Sequence, residues 1–285
     1  MKRVIVTGAT GLIGKEAIEP LIRNGFEVTA LSRNGNKYTN FIEVDIFDNN
    51  NLEKIFKQIR PEYLLHFAWY TQEGSLTSDL NYQWKNASLN MLKIFKKYGG
   101  KRAVFAGTCF EYEFGNIPLR EGMLINPISI YGQCKNELRE EAEAFSKEND
   151  ISFGWGRIFY VLGHGENPKR LLPYIANSLK SNQTAAITSG PLIRDYMYSK
   201  DIAGAFVKFL DGDVTGCVNI CTGRGISIKE FADKVGGILG KMDLLEFRDN
   251  VQDQPAVIVG DNSRMIHTVG YNPQYCIDTA LKNIL

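Results

Sequence analysis

Short, evenly apolar runs alternate with longer segments of helical period along the first half of the chain. The apolar runs fall at 2–7, 26–31, 40–44, 62–67, 101–106 and 151–158, and helical patterns lie between them at 12–24, 50–59, 78–98 and 132–148. Strands that short and that uniformly apolar are buried on both faces, the mark of a parallel sheet covered by helices and joined by right-handed crossovers. Beyond Gly163 the rhythm changes. The stretch Gly163-His164-Gly165-Glu166-Asn167-Pro168 leads to a helix at 169–181, a short strand near 184–188, a helix at 200–211, a strand near 216–220 and a helix at 228–239. That last helix opens on Ser227 and Glu230, a Ser-x-x-Glu capping box. The pattern predicts an α/β fold, with a doubly wound parallel sheet in residues 1–162 and a smaller C-terminal, substrate-binding lobe in residues 163–285. Segments over 185–220 are expected to return to the main sheet.

Composition removes several classes of function. Lys+Arg 33 against Asp+Glu 32 leaves no basic excess for nucleic acid, so any anionic ligand must be held by local groups. Met1-Lys2-Arg3 runs straight into an apolar strand without a leader segment. No apolar run reaches the roughly 18–20 residues of a membrane span. A soluble, cytoplasmic protein with no membrane partner is expected. Cysteines stand at 109, 134, 217, 221 and 276, an odd count without framework spacing. Cys217 and Cys221 lack the second pair or nearby histidine of a zinc tetrad, so reduced thiols and no metal are expected.

Thr7-Gly8-Ala9-Thr10-Gly11-Leu12-Ile13-Gly14 joins the first strand directly to the first helix. Gly8 suits the tight turn, Gly11 the approach of backbone to a pyrophosphate, and Gly14 the close packing of helix on strand. The amides at the helix start and the positive end of its dipole suit phosphate oxygens. Placed at a strand–helix junction, the motif reads as a Rossmann-type dinucleotide site. NAD sites usually end the second strand on an acid that binds the ribose 2′-hydroxyl. Here that strand ends Leu31-Ser32-Arg33, with no acid. Ser32 as a donor and Arg33 as a partner for a 2′-phosphate favour NADP(H), with NAD(H) as the alternative. A solvated surface arginine is the other reading of Arg33.

Asn126-Pro127-Ile128-Ser129-Ile130-Tyr131-Gly132-Gln133-Cys134-Lys135 places Tyr131 and Lys135 one helical turn apart on one face. An ammonium beside a phenol favours phenolate, so the tyrosine is expected to titrate lower than usual. Thr108 follows the apolar strand at 101–106, where a parallel sheet places its site residues, and its hydroxyl suits a substrate oxygen shared with Tyr131.

Together these motifs resemble the extended short-chain dehydrogenase/reductase family, whose members are sugar-nucleotide epimerases, dehydratases and 4-ketoreductases. The resemblance spans most of the chain. It includes Asp45-Ile46 after the third strand, His66-Phe67-Ala68 after the fourth, Arg157-Ile158-Phe159 on the sixth, and Arg194-Asp195-Tyr196 before Ser199-Lys200-Asp201-Ile202-Ala203. It implies that Asp45 contacts the adenine beside Ile46, and that Phe67, Ala68, Trp69 and Phe159 line the cofactor. It also implies that Lys135 binds the nicotinamide ribose and that Arg194 holds the diphosphate of a sugar nucleotide, with Arg248 as a further candidate. Read from the residues alone, the other readings are Asp45 as a turn cap, His66 as a satisfied core histidine, Arg194 as half of an ion pair with Asp195, and Arg248 as a solvated loop charge. The helices at 78–98 and 132–148 resemble the pair that joins two copies in this family, which implies a homodimer.

Departures from the family pattern cluster around the expected sugar pocket. Tyr160 stands where many relatives carry Asn, Trp69-Tyr70 where many carry a small residue, and Gly107-Thr108-Cys109-Phe110-Glu111-Tyr112 replaces a Ser-rich run. Trp69, Thr108, Cys109, Phe110 and Tyr160 therefore join the candidate substrate site. No Asp-Glu pair follows Thr108, which sets dehydration aside. The expectation is an NADP(H)-dependent 4-ketoreductase of a 4-keto-6-deoxy sugar nucleotide, with Tyr131 as proton donor. An epimerase that retains NAD is the alternative, and a non-catalytic dinucleotide-binding sensor or scaffold the third reading.

Overall fold

The computed structural model describes residues 2–33, 40–115, 117–188, 191–248 and 255–285. Its first half runs β1 (Lys2–Thr7), α1 (Gly14–Arg23), β2 (Phe26–Ser32), β3 (Phe41–Glu43), α2 (Asn49–Ile59), β4 (Tyr63–His66), α3 (Leu80–Lys97), β5 (Arg102–Thr108), α4 (Ile130–Glu148) and β6 (Ser152–Ile158). Then follow β7 (Tyr160–Leu162), α5 (Leu171–Lys180), β8 (Ala185–Thr188), β9 (Ile193–Arg194), β10 (Tyr196–Tyr198), α6 (Ser199–Asp211) and β11 (Gly216–Ile220). The chain closes with β12 (Ile226–Ser227), α7 (Ile228–Leu239), β13 (Leu245–Arg248), β14 (Val257–Ile258) and α8 (Ile277–Ile284). Helix limits follow local chemistry. Asp48 caps α2 by accepting the Asn51 amide at 3.0 Å, and Ser227 caps α7 by accepting that of Glu230 at 3.1 Å. Gly240, at φ 68°, ends α7 in the left-handed conformation that glycine tolerates best.

Seven strands, all parallel, form the main sheet in the order β11-β6-β5-β4-β1-β2-β3. Successive residues of β1 serve opposite faces. Val4 and Val6 pack with Ile202, Phe206 and Phe209 of α6 and with Ala17 and Leu21 of α1. Ile5 packs with Leu52 of α2, Met91 and Phe95 of α3 and Leu138 of α4. The sheet is thus a Rossmann-type doubly wound layer. The strand order reverses between β1 and β4, and a crevice opens above their carboxyl ends at such a switch point. A second core, built on Leu172, Ile175, Leu179, Leu192, Phe231 and Val235, belongs to the smaller lobe.

Of the segments expected to return to the main sheet, β11 joins it beside β6 and α6 covers one of its faces. β8 instead pairs in parallel with β13 in a separate two-stranded sheet. A short apolar run does not name its partner, because strand pairing is decided by remote chain. The same reason hides β7, β9, β10, β12 and β14, which are two or three residues long. Among the described residues no helix is long and apolar enough to cross a membrane.

Candidate active site

The turn after β1 is built by its glycines. Gly8 sits at φ 66°, and a Cβ there would lie 2.8 Å from the Ala68 amide nitrogen. A Cβ on Gly14 would lie 2.2 Å from the Gly8 carbonyl oxygen. The Gly11 amide closes the turn on that carbonyl at 2.9 Å. No side chain caps the start of α1, so its first amides and the dipole behind them suit an anion. Gly14→Ala is expected to force the turn open at a cost of about 1–3 kcal/mol. The check is a lower melting temperature together with weaker dinucleotide binding by fluorescence titration.

Above the switch point lies a cleft of about 880 Å³. Ser32, Arg33, Val44 and Ile46 line one end, the glycine turn with Leu12 and Ile13 the middle, and Phe67, Ala68, Trp69, Thr108, Phe110, Tyr131, Lys135, Phe159 and Tyr160 the other. The Ser32 hydroxyl hydrogen-bonds the Thr10 hydroxyl at 2.7 Å. The exposed Arg33 guanidinium lies 5.9 Å from the centre of the Trp84 ring. Asp45 does not line the cleft. It is exposed and accepts the Phe47 amide at 3.0 Å, which is its turn-capping reading.

Thr108 ends β5, and α4 begins at Ile130, two residues earlier than the periodicity predicts, because Ser129 caps it by accepting the Gly132 amide at 3.1 Å. Tyr131 and Lys135 therefore share the first turns of one helix. Thr108 and Tyr131 line the same cleft, with the Thr108 hydroxyl close enough to the phenol to favour its ionised form. The phenol does not titrate low as expected; burial pushes it above the usual tyrosine value, with the Thr108 hydroxyl opposing. The helical spacing aligns the two side chains but not their heads. Lys135 Nζ turns into the sheet, donates to the Ala106 carbonyl at 2.7 Å and lies 3.7 Å from the centre of the Trp69 ring. Burial pushes that ammonium down to about 7, against the raising influence of Glu111.

His66 is a satisfied core histidine, with Nδ1 2.7 Å from the Thr7 hydroxyl and Nε2 2.8 Å from the Ser88 hydroxyl. Burial holds its imidazole down at about 3. The folded pKa lies below the unfolded one, so only the unfolded chain takes up this proton as pH falls through about 6.5. His66 is therefore expected to remove stability at up to about 1.4 kcal/mol per pH unit between roughly pH 6.5 and 3. Urea unfolding at several pH values checks this, and His66→Gln should flatten that part of the profile.

Arg194 lies in a second, smaller cavity with Tyr160, Leu171, Thr188, Leu192, Tyr196 and Ile228. Tyr160 lines both spaces. Arg194 donates to the carbonyls of Ile193 and Ala256 at 2.9 and 3.1 Å, and its guanidinium lies 5.6 Å from the Tyr160 ring centre. The Asp195 carboxylate is taken by the amides of Thr222, Gly223 and Gly260 and by the Thr222 hydroxyl. Besides Asp45, two sequence candidates fall outside both spaces. Cys109 is buried with Tyr112, Phe159 and Cys221 beneath the cleft floor, because the tight turn after Thr108 points it inward. Arg248 is exposed on β13 and pairs with Glu246 at 3.0 Å.

Sequence reading missed part of the cleft wall. Glu73, Glu166, Asn167, Lys169 and Arg170 line it from two loops, and Lys169 reaches Glu73 across the cleft at 2.5 Å. Burial pushes the Glu166 carboxyl up to about 7. The signal was the Gly/Pro-bearing stretch after the sixth strand, since loops at the carboxyl ends of parallel strands build such sites.

Comparison with known proteins agrees with this geometry. The sequence model of the NAD dependent epimerase/dehydratase family matches residues 4–221. UDP-glucose 4-epimerase of Bacillus subtilis is 25% identical, over 94% of this chain and 91% of that one. CDP-abequose synthase of Salmonella typhimurium is 25% identical, over 99% and 97%. The structure of UDP-glucose 4-epimerase from Brucella ovis in complex with NAD shares the fold, with a TM-score of 0.90 at 21% identity over 100% of this chain and 97% of that one. The family match runs from within β1 to the residue after β11 and so takes in the main sheet and every residue lining the cleft; the chain belongs to the NAD dependent epimerase/dehydratase family.

Proposed function

We propose that this protein is a sugar-nucleotide 4-epimerase that oxidises and re-reduces C4 of a nucleotide-linked sugar with NAD. The observation carrying this reading is that Thr108, Tyr131 and Lys135 line the wall of a cleft that also holds the glycine turn. The turn fits a dinucleotide, because side chains on Gly8 and Gly14 would close it and no side chain caps the start of α1. Bound NAD supplies the acceptor and donor of hydride. Tyr131 takes the proton of the 4-hydroxyl and returns one to the 4-oxygen, with Thr108 sharing that oxygen. Lys135, which lines the cleft, would hold the nicotinamide ribose, Trp69, Phe110 and Tyr160 would enclose the sugar, and Arg194 would hold the diphosphate.

The preference for an NADP(H) reductase gives way here. It rested on Ser32 and Arg33, whose side chains meet Thr10 and the Trp84 ring. The Bacillus and Brucella relatives, both UDP-glucose 4-epimerases, support the epimerase reading. One observation favours the 4-ketoreductase as a second reading: burial holds Tyr131 above its usual value, so the phenol is protonated and suited to give a proton to a ketone.

The purified protein is expected to carry NAD(H) and to interconvert UDP-glucose and UDP-galactose, or another 4-epimeric pair in a panel of UDP-linked hexoses and pentoses, without added cofactor. Stoichiometric consumption of NADPH by a 4-keto sugar nucleotide selects the reductase. For an epimerase, Arg33→Ala should leave NAD affinity unchanged. A protein that binds a dinucleotide and turns over no panel member returns the sensor reading. Joining of two copies through α3 and α4 is part of this proposal, and light scattering tests it.

A further inference from the structure

Beneath the cleft floor lies a carboxylate that the proposed chemistry does not use. Glu111 is fully buried and its partners enclose it: Arg157 Nε donates at 2.7 Å, the Trp155 indole at 2.9 and 3.1 Å, and the Thr108 amide at 2.8 Å. Arg157 is itself tied to the Tyr112 hydroxyl at 3.0 Å, which donates onward to Asn219 at 2.7 Å. A buried ion pair adds little stability over a well-packed apolar pair. What this one holds in place is therefore the informative feature.

It holds residue 108. Thr108 is the N-cap of the 3-10 turn Cys109–Glu111, and Glu111 closes the capping box on its amide. The Thr108 hydroxyl accepts the Phe110 amide at 3.3 Å, which commits an acceptor site and leaves the hydroxyl proton for Tyr131. Two glycines make the arrangement possible. A Cβ on Gly107 would lie 2.0 Å from the Trp155 indole nitrogen, and one on Gly132 would lie 2.2 Å from the Phe110 carbonyl. The turn is thus seated against the start of α4, beside Tyr131.

We propose that Glu111 is a positioning residue that clamps the Thr108 amide from below and so sets the Thr108 hydroxyl against Tyr131. This rests on the reading of Thr108 and Tyr131 given above.

The test is a double-mutant cycle on the NAD-loaded protein, with the panel sugar nucleotide turned over fastest as substrate. Glu111→Gln should lower kcat by up to about 10²-fold, the scale of a small misplacement at a reacting centre. KM and NAD affinity should stay within about twofold, because no ground-state contact is removed. In a Thr108→Ala background the same change should cost less than about twofold, since the group it positions is gone. If Glu111→Gln does not fold, Trp155→Phe removes one donor to Glu111, keeps an aromatic ring and should show a smaller loss with the same dependence on Thr108. An equal loss in both backgrounds, or an unchanged kcat, overturns the proposal while leaving the role of Thr108 intact. Wild-type kcat in Thr108→Ala overturns both.

Discussion

Tyr131→Phe is expected to lower turnover by about 10²–10⁴-fold, the usual contribution of a positioned proton donor or acceptor. The substitution removes one hydroxyl and keeps the ring that lies 6.3 Å from Phe110 and 6.4 Å from Trp69, so packing changes little. NAD affinity is expected to survive, because the glycine turn is untouched. Single-turnover kinetics with the panel substrate, alongside cofactor titration, make the measurement. Near wild-type turnover would remove Tyr131 from the chemistry and return the non-catalytic reading. The raised phenol adds a second expectation: taking the 4-hydroxyl proton needs the phenolate, so an epimerase rate should rise with pH, whereas a reductase, which needs the protonated phenol, should not slow as pH drops.

Arg194→Ala is expected to weaken sugar-nucleotide binding by roughly 2–5 kcal/mol, the cost of truncating one partner of a desolvated charge pair. The guanidinium is buried, held by two carbonyls and set beside Tyr160, which lines both the small cavity and the main cleft. That makes Tyr160 the junction across which a nucleotide-linked sugar would reach from Arg194 to Tyr131. NAD binding should change little, since Arg194 lines only the smaller space. Calorimetry with UDP and with the UDP-sugar checks the result. Unaltered affinity for both would leave Arg194 as a support for the strands around it.

Several features were legible in sequence because they are local. The alternation of apolar runs and helical periods located the seven main strands except for their ends, since burial on both faces of a parallel sheet demands evenly apolar runs. Gly8, Gly11 and Gly14 announced the tight turn between β1 and α1 because their spacing at a strand–helix junction is itself the geometry. The Tyr131–Lys135 spacing, likewise, put both residues on one helix face. Ser227 marked the start of α7.

What the tertiary structure decided are relations between remote side chains. Lys135 lies one turn from Tyr131, yet its ammonium goes to Ala106 and Trp69, brought there by β5 and the loop after β4. The phenol therefore moves up rather than down: burial outweighs a neighbour that points away. Arg194 and Asp195 are adjacent in sequence, yet the Asp195 carboxylate serves amides of two other segments. Glu111 looked like one member of an aberrant run until β6 delivered Arg157 and Trp155 to it. A local pattern states which groups a segment offers. Their partners, and with them titration and orientation, depend on contacts across long sequence separations, which only the assembled sheet supplies.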